Sequence, residues 1–413
     1  AMLLCGFGGW YFAMNGNAIP LLAKLKSETY TTFSNYSLTI IPMFLLMGQF
    51  ATLSGISTAL FKAAESFLGH RRGGVAMAAI GACAGFGAIC GSSLATAATM
   101  GRVALPELKR YGYSGGFSTA TLAAGGTLGI LIPPSVILVI YAIITEQNIA
   151  KLFLAAFIPG ILAALGYVIN ISVYVRLYPN SAGIRPAVPI AERWRALATT
   201  WPVLVVFGLV VGGIYAGWFT PTEGAAIGAA GTGLIALWGG NLSRAQLGEA
   251  LTGTAKTTAM IFFIVLGAAF YNGFLALSGV PQYLADFVLN QGFSPLFVLS
   301  VILVFYLFFG CVMDSLSMIL LTVPIFFPVI SAMDFGMSPE HLAIWFGILV
   351  LIVVEVGLIT PPVGMNLFII NAMDRHTPMT QTYKTVMFFV GSDILRVIIL
   401  VAFPGITLFL IPA

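Results

Sequence analysis

Long apolar segments separated by short polar ones dominate the chain. About ten of them match membrane-spanning helices, which need ~20 apolar residues to cross a hydrocarbon core of ~30 Å. They run over residues 1–23, 37–68, 117–144, 152–175, 201–217, 224–238, 257–278, 296–309, 342–359 and 385–411. The pattern predicts an all-α, multi-pass integral membrane protein.

Two further apolar stretches, residues 75–105 and 305–330, are interrupted near the middle by small and polar residues. In the first stretch the interruption is Gly91-Ser92-Ser93. About 31 residues are too few to cross the core twice at ~1.5 Å per residue, so a hairpin here enters and leaves on one side. Non-helical backbone is tolerated at membrane depth only inside protein or beside a watery cavity. We therefore predict two re-entrant helical hairpins with functional tips.

Two patterns in the first half of the chain recur in the second half. The segment 129–134, which ends in Pro-Pro, is matched by 357–362, and the aromatic-Gly-x-Ser loop 111–114 is matched by 335–338. Each half thus reads as a hairpin, a loop and a helix that is interrupted at Pro-Pro. The sequence predicts a structural repeat.

Charge orients the two copies of the repeat. The loop 102–111 carries Arg102, Lys109 and Arg110, whereas 331–341 carries acidic residues and no Lys or Arg. By the positive-inside rule the first loop faces the cytoplasm and the second faces outward. The repeat is then inverted, and paired broken helices in an inverted repeat indicate a secondary transporter with midplane sites.

The interrupted helices offer oxygen ligands for a hard cation such as Na⁺, because a break frees backbone carbonyls that Ser, Thr or Asn side chains complement. In the first half, Ser92 and Ser93 are expected to meet the carbonyls of Gly129, Ile132 and Pro134. In the second half, the expected set is Gly310, Asp314, Ser315, Thr360, Val363 and Asn366. Close packing of small residues between helices is the alternative explanation.

Ionisable residues within spans are costly and suggest function. Asp314 is open to three roles: cation ligand, proton carrier or partner of a buried donor. Glu355 has the same options, or it pairs with a basic residue such as Arg396 and is structural. Glu223 has a plainer role, since Thr220-Pro-Thr-Glu predicts a helix-capping box.

Composition excludes several classes of function. The 413 residues are 59% hydrophobic and 8% charged, against roughly 25% charged in soluble domains. A net charge of +4 without a basic stripe argues against nucleic-acid binding. Cys5, Cys83, Cys90 and Cys311 form no CxxC pair, so we expect small core residues and no transition-metal site. The histidines lie in polar loops without a paired nucleophile, which argues against an enzyme.

Several sequence motifs are specific enough to indicate a protein family. They are Ile41-Pro-Met-Phe-Leu-Leu-Met-Gly48, Gly69-His-Arg-Arg-Gly-Gly74, Phe86-Gly-Ala-Ile-Cys-Gly-Ser-Ser-Leu-Ala-Thr96, Gly125-Gly-Thr-Leu-Gly-Ile-Leu-Ile-Pro-Pro-Ser135, Phe219-Thr-Pro-Thr-Glu223 and Thr360-Pro-Pro-Val-Gly-Met-Asn-Leu-Phe368. With them the sequence resembles, over essentially its whole length, the large membrane subunit of the TRAP (tripartite ATP-independent periplasmic) transporters.

The resemblance implies a fold and an activity. The fold is an inverted repeat like that of the ion-transporter superfamily, with two re-entrant hairpins and broken helices, working as an elevator. The activity is Na⁺-coupled import of an organic acid, such as a C4-dicarboxylate or sialic acid, across the bacterial inner membrane, with no cofactor besides Na⁺. Implied partners are a small four-helix membrane subunit, a periplasmic substrate-binding protein and membrane lipid.

The resemblance also implies site residues. It places the two Na⁺ sites near Ser92, Gly129, Ile132 and Pro134, and near Gly310, Thr360, Val363 and Asn366. Candidate substrate contacts are Ser93, Thr96, Arg102, Ser135 and Gly364. Arg102, directly after the first hairpin, would attract an anion, although a basic residue at the cytoplasmic interface is the ordinary explanation.

The predicted organisation follows from the repeat. It consists of scaffold helices (1–74), a first transport repeat with its following arm (75–175), a cytoplasmic linker (176–200), further scaffold helices (201–300), a second transport repeat (301–376, with its helix broken at 360–366) and a C-terminal arm (377–413). A proton-coupled transporter, an anion transporter without a binding protein, and an ion channel remain alternatives, because re-entrant loops also build channel filters.

Overall fold

The computed structural model of the chain describes residues 6, 8–10, 16, 18–240 and 242–411. Across these ranges the regular structure is helical and contains no strand. Of the described helices, five are long and apolar enough to cross a membrane, or up to seven if each of two bent pairs counts as one span. The predicted all-α, multi-pass architecture is confirmed, while Cys5 and most of segment 1–23 lie outside the described residues.

The helices of the first half surround the first hairpin. They are α1 (Ala18–Phe33), α2 (Ile40–Leu53), α3 (Ile56–Leu68), α4 (Gly74–Cys90), α5 (Ser93–Arg110), α6 (Gly115–Leu131), α7 (Val136–Thr145) and α8 (Ile149–Leu177). The hairpin is formed by α4 and α5, which pack on each other and meet at residues 91–92. The predicted tip is therefore confirmed, although the second arm continues to Arg110.

The second half repeats this order after a few additional helices. Its helices are α9 (Ile190–Ala198), α10 (Trp201–Phe207), α11 (Pro221–Trp238), α12 (Arg244–Ser278), α13 (Val280–Asn290), α14 (Pro295–Gly310), α15 (Ser315–Ser331), α16 (Pro339–Gly357), α17 (Met365–Met373), α18 (Met379–Ala402) and α19 (Gly405–Leu408). A π-helical stretch, Gly208–Gly212, extends α10.

Three predicted segment boundaries are wrong. The single segment 37–68 is two helices, because Gly55 takes a left-handed conformation (φ +78°) between α2 and α3. Residues 296–309 are the first arm of the second hairpin, formed by α14 and α15, and not a separate span. The segment predicted at 257–278 begins instead at Arg244, where Ser243 and Gln246 form a capping box. The capping box at Thr220 and Glu223 is present as predicted.

The broken helices lie in the centre of the fold. Helices α6 and α7 are bent by 46° at their break, and residues 358–364 separate α16 from α17. Every residue of α6 from Gly116 onward is buried, as is every residue of α16 from Leu342 onward. A helix that is apolar all round is buried on all sides, so the hairpins and outer helices pack around these two.

The linker 176–200 is docked on α3 and is not a free connector. Arg185 Nη1 lies 3.0 Å from Glu65 Oε2, and the ring of Trp194 meets that of Phe67 edge-on with centroids 6.0 Å apart. The linker also contacts the loop before α6, where the backbone N–H of Ser114 donates to the Ser181 carbonyl at 2.9 Å. The predicted linker is thus attached to both neighbouring parts of the chain.

An ion pair joins the two halves at the end predicted to face the cytoplasm. Lys109 Nζ, at the end of the first hairpin, lies 2.8 Å from Asp374 Oδ1 in the loop after α17, and the Thr377 hydroxyl donates to Asp374 Oδ2 at 2.7 Å. Burial by itself raises the pKa of Asp374, but the Lys109 ammonium and the Thr377 hydroxyl outweigh it and hold the pKa below its usual value.

Replacing Asp374 with Asn is expected to lower the thermal stability of the protein at neutral pH. A carboxyl whose pKa is depressed in the folded state stabilises it above the unfolded pKa, and this contribution is lost as the pH falls below about 4. The Tm of the wild type should therefore drop more steeply on acidification than that of Asp374→Asn, measured in detergent between neutral and acidic pH. Parallel acid profiles for the two proteins would contradict the assignment.

Candidate functional site

The first hairpin tip touches the first helix break. Gly91 ends α4 in the left-handed region (φ +64°), and Ser92 caps α5, its hydroxyl accepting from Ala95 N at 3.4 Å. A β-carbon on Gly91 would lie 2.9 Å from the Pro134 carbonyl oxygen. Only glycine allows both this φ and this approach, so the tip and the Pro-Pro break are in direct contact.

Gly129 brings α6 equally close to the same tip. A β-carbon at this position would lie 2.4 Å from Thr96 Oγ1 and 2.7 Å from the Ser92 carbonyl oxygen, and one on Gly87 would lie 2.6 Å from Gly129 Cα. The structure thus brings together Ser92, Gly129 and Pro134 of the first predicted set, with Thr96 beside them.

The other members of this set flank the break. Ile132 ends α6 and is almost completely buried, with its side chain near Gly160 of α8. Ser135 is fully buried and caps α7, accepting from Leu138 N at 3.4 Å. Both lie at the break as predicted.

The second tip meets the second break in a similar way. A β-carbon on Gly357 would lie 2.5 Å from the carbonyl carbon of Gly310, so α14 and α16 also cross in backbone contact. Gly364, in the left-handed region (φ +65°), donates its N–H to the Cys311 carbonyl at 3.1 Å. Asp314 caps α15, with Oδ2 accepting from Ser317 N at 3.0 Å, which gives this carboxylate a local structural partner.

Glu355 connects the two tips. It is fully buried, and Oε1 accepts from the Ser315 hydroxyl at 2.7 Å. The Ser93 side chain of the first tip interacts with the same carboxylate, and Oε2 has no hydrogen-bond partner. The alternative pairing with Arg396 is wrong, because that guanidinium lies 2.9 Å from Asp393.

Asn366 connects the two broken helices. It is fully buried; its Nδ2 donates to the Ala123 carbonyl of α6 at 3.3 Å, and its Oδ1 has no partner. Thr360 turns its hydroxyl back onto the Val356 carbonyl at 2.7 Å, and Val363 is half-buried. Asn366 therefore faces the first half of the chain, which the spacing along its own helix did not predict.

A cavity of about 180 Å³ lies between the tips. Its polar lining consists of Ser92, Ser93, Thr257, Asp314 and Ser315. The breaks around it also hold buried oxygens without a hydrogen-bond partner in the structure, and these are Thr96 Oγ1, Glu355 Oε2 and Asn366 Oδ1. Buried polar atoms are normally paired, so an oxygen-seeking ligand such as a hard cation fits their chemistry.

Arg102 does not reach this cavity. It lies on α5 nine residues after Ser93 and is exposed, which corresponds to roughly 14 Å along a helix. The sequence predicts a functional or a structural role for Glu355 but not its position between the tips. The signal for it is a lone carboxylate in the apolar segment before Pro-Pro.

Comparison with known proteins gives a consistent result. A family profile described as "Tripartite ATP-independent periplasmic transporter, DctM component" matches residues 1–406. The C4-dicarboxylate TRAP transporter large permease protein DctM of Pseudomonas aeruginosa is 36% identical over 388 residues, which cover 93% of this chain and 88% of that protein. The sialic acid TRAP transporter large permease protein SiaM of Vibrio cholerae is 32% identical over 381 residues, which cover 91% and 86%.

A solved structure shares the fold. The crystal structure of the Alcanivorax borkumensis YdaH transporter superposes with a TM-score of 0.68 at 14% identity, covering 96% of this chain and 90% of that one. The sequence relatives are transport permeases, so the chain is a transporter subunit and not an enzyme. With hairpins and broken helices in place, and a profile match along nearly the whole length, the chain belongs to the DctM component family of the tripartite ATP-independent periplasmic transporters.

Proposed function

We propose that this chain is the permease through which a TRAP transporter imports an organic acid, driven by Na⁺. The observation that carries the proposal is the set of unpartnered buried oxygens at the breaks, Thr96 Oγ1, Glu355 Oε2 and Asn366 Oδ1. Na⁺ is a hard cation that prefers oxygen ligands. A bound Na⁺ would coordinate these oxygens, which are otherwise removed from water without gaining a hydrogen bond.

Two Na⁺ sites account for the two breaks. The first would use Ser92, Ser93 and the carbonyls of Gly129, Ile132 and Pro134, with Thr96 adjoining. The second would use Gly310, Asp314, Ser315, Thr360, Val363 and Asn366, with Glu355 between the sites. Supporting this, Gly91 and Gly364 bring the backbone of each tip into contact with its break.

The substrate proposed is a carboxylate of the C4-dicarboxylate or sialic-acid type, the classes named for the two relatives above. Serine hydroxyls from both tips line the cavity between them and can donate to carboxylate oxygens. Of the candidate substrate contacts, Ser93 lines the cavity, Thr96 lies beside Gly129, and Ser135 and Gly364 lie at the two breaks, whereas Arg102 would act only by long-range attraction.

The mechanism proposed is an elevator built from an inverted repeat. In each half a hairpin arm crosses the first part of the broken helix at a glycine pair, Gly87 with Gly129 and Gly310 with Gly357. This correspondence supports a transport domain made of parts of 75–175 and 301–376. The remaining scaffold and arm helices, 1–74, 201–300 and 377–413, would hold it in the bacterial inner membrane.

Two partners complete the proposal. A periplasmic binding protein would deliver the substrate, and a small four-helix membrane subunit would extend the scaffold. Exposed apolar side chains on the outer helices, such as Trp238 (85% exposed) and Phe263 (61% exposed), fit contact with lipid or such a subunit.

Uptake into proteoliposomes is expected to require both partners and an inward Na⁺ gradient. The assay follows a radiolabelled C4-dicarboxylate or sialic acid with each component omitted in turn. Asn366→Leu and Ser92→Leu should raise the Na⁺ concentration for half-maximal uptake by about tenfold, because each removes a ligand worth ~1.4 kcal/mol. Asn290→Leu, the same type of substitution at an exposed position away from both tips, serves as the matched control.

Other outcomes separate the alternatives. Uptake driven by a proton gradient without Na⁺ would establish a proton-coupled transporter. Non-saturating flux that needs neither gradient nor binding protein would establish a channel. Unchanged Na⁺ dependence in both Asn366→Leu and Ser92→Leu would refute the assigned sites while leaving transport itself intact.

A further inference from the structure

A second cavity lies on the outside of the protein, between α8 and α18. It has a volume of about 600 Å³ and a mostly apolar lining. Its rim includes Leu165, Ile169 and Leu395, which are 52%, 63% and 58% exposed. Both helices are long and apolar enough to span the membrane, so this groove opens toward lipid.

Arg396 forms the polar part of the groove. Its side chain is only 7% exposed, and Nη2 lies 2.9 Å from Asp393 Oδ1. The other oxygen of Asp393 accepts from the Tyr167 hydroxyl at 2.8 Å, so the carboxylate is occupied. The guanidinium nitrogens nevertheless make no well-aligned hydrogen bond, and neither does Asn170 Nδ2, which also lines the groove.

Unsatisfied donors at this position call for a ligand with acceptor oxygens. A buried guanidinium in a membrane protein is unfavourable unless it is paired and its donors are hydrogen-bonded. A neighbouring transmembrane helix would supply few acceptors, because its backbone carbonyls are bonded within the helix. A glycerophospholipid carries phosphate and ester oxygens together with acyl chains that match the apolar lining.

The depth of Arg396 fits such a ligand. Tyr167 bonds to Asp393 and Tyr174 packs on Phe388, so the two helices run antiparallel. Asn170, the second donor of the groove, precedes the end of α8 at Leu177 by seven residues, or roughly 10 Å of helix. The long side chain of Arg396 can extend toward this level, so the ester and phosphate region of a lipid from this leaflet can meet both donors while its acyl chain follows the groove.

We propose that the groove between α8 and α18 is a phospholipid-binding site in which Arg396 and Asn170 hold the phosphate or ester oxygens. The site is connected to the centre of the protein. Tyr167, which donates to Asp393, is also 3.0 Å from the Thr127 hydroxyl of α6, two residues before Gly129. A bound lipid therefore stabilises the packing of α8 and α18 against the first broken helix.

The test uses variants that alter the groove without removing the ion pair. Gly391 lines the groove, and a β-carbon there would meet nothing within 4 Å, so Gly391→Leu fills the space. Gly208 on the α10 extension is equally open and exposed, which makes Gly208→Leu the matched control. Arg396→Lys keeps the charge beside Asp393 but removes the forked donors.

Native mass spectrometry of the detergent-purified chain should show one retained phospholipid in the wild type and in Gly208→Leu. Gly391→Leu and Arg396→Lys should each lower its occupancy by about fivefold, the value of roughly one hydrogen bond. Added phosphatidylglycerol should raise the Tm of delipidated wild type, and the same concentration of inorganic phosphate should not.

Three results would overturn the proposal. They are a wild-type chain that retains no phospholipid, equal retention in Gly391→Leu and Gly208→Leu, and equal stabilisation by inorganic phosphate. None of these results depends on Na⁺ coupling or on the identity of the transported substrate.

Discussion

Glu355→Gln is expected to fold normally and to raise the Na⁺ concentration for half-maximal uptake by at least about tenfold, or ~1.4 kcal/mol. The amide oxygen can still accept from the Ser315 hydroxyl, which holds Oε1 at 2.7 Å in the wild type. The second oxygen is the difference, because the amide places an NH₂ donor where the wild type presents the unpartnered Oε2. An amide NH₂ cannot ligate a cation, whereas a carboxylate oxygen can.

The measurement is Na⁺-dependent uptake in proteoliposomes, with Tm in detergent as the folding control. Glu355→Leu provides the contrast, because it leaves the Ser315 hydroxyl without its acceptor and should reduce the folded yield. If Glu355→Gln shows wild-type Na⁺ dependence, the carboxylate is only a hydrogen-bond acceptor between the tips, and its proposed role in coupling is wrong.

Gly129→Ala should reduce uptake by at least about fivefold, because overpacking of this kind costs roughly 1–3 kcal/mol. The new methyl would lie 2.4 Å from Thr96 Oγ1 and 2.7 Å from the Ser92 carbonyl oxygen. The first tip must therefore move away from the break that it contacts, which separates the proposed cation ligands. Gly357→Ala, whose methyl would meet the Gly310 backbone at 2.5 Å, should have a similar effect at the second tip.

The matched control for both is Gly208→Ala, since a β-carbon there meets no atom within 4 Å. All variants are compared for initial uptake rate and for Tm. Wild-type uptake by Gly129→Ala would mean that the tip and break are separable, and it would remove the structural basis for a site between them.

Local chemistry allowed the breaks and tips to be predicted from sequence. Gly91-Ser92-Ser93 and the two Pro-Pro segments cannot continue a helix, since glycine terminates it and proline removes a donor. That each tip contacts a break was inferred from the repeat. The helix boundaries are less predictable, because hydropathy does not detect the capping box at Ser243, which starts α12 among polar residues.

Contacts between distant parts of the chain were not predictable in this way. The side chain of Asn366 binds Ala123 of α6, and Lys109 pairs with Asp374 across the two halves. Helical periodicity assigns a residue to a face but does not identify the partner on another helix. For the same reason the sequence does not identify the partner of Glu355. In the structure Glu355 accepts from Ser315, and Arg396 pairs with Asp393 instead.

In the proposed elevator, the docked linker would restrain movement between the two domains. One end is paired with α3 through Arg185 and Glu65, while Ser181 accepts from Ser114 at the start of the first broken helix. Only residues 182–184 lie between these attachments, so a displacement of the hairpin unit past α3 that exceeds the slack of this short segment must break one of them. In the proposed elevator, the weaker attachment would therefore add to the barrier between the inward-facing and outward-facing states.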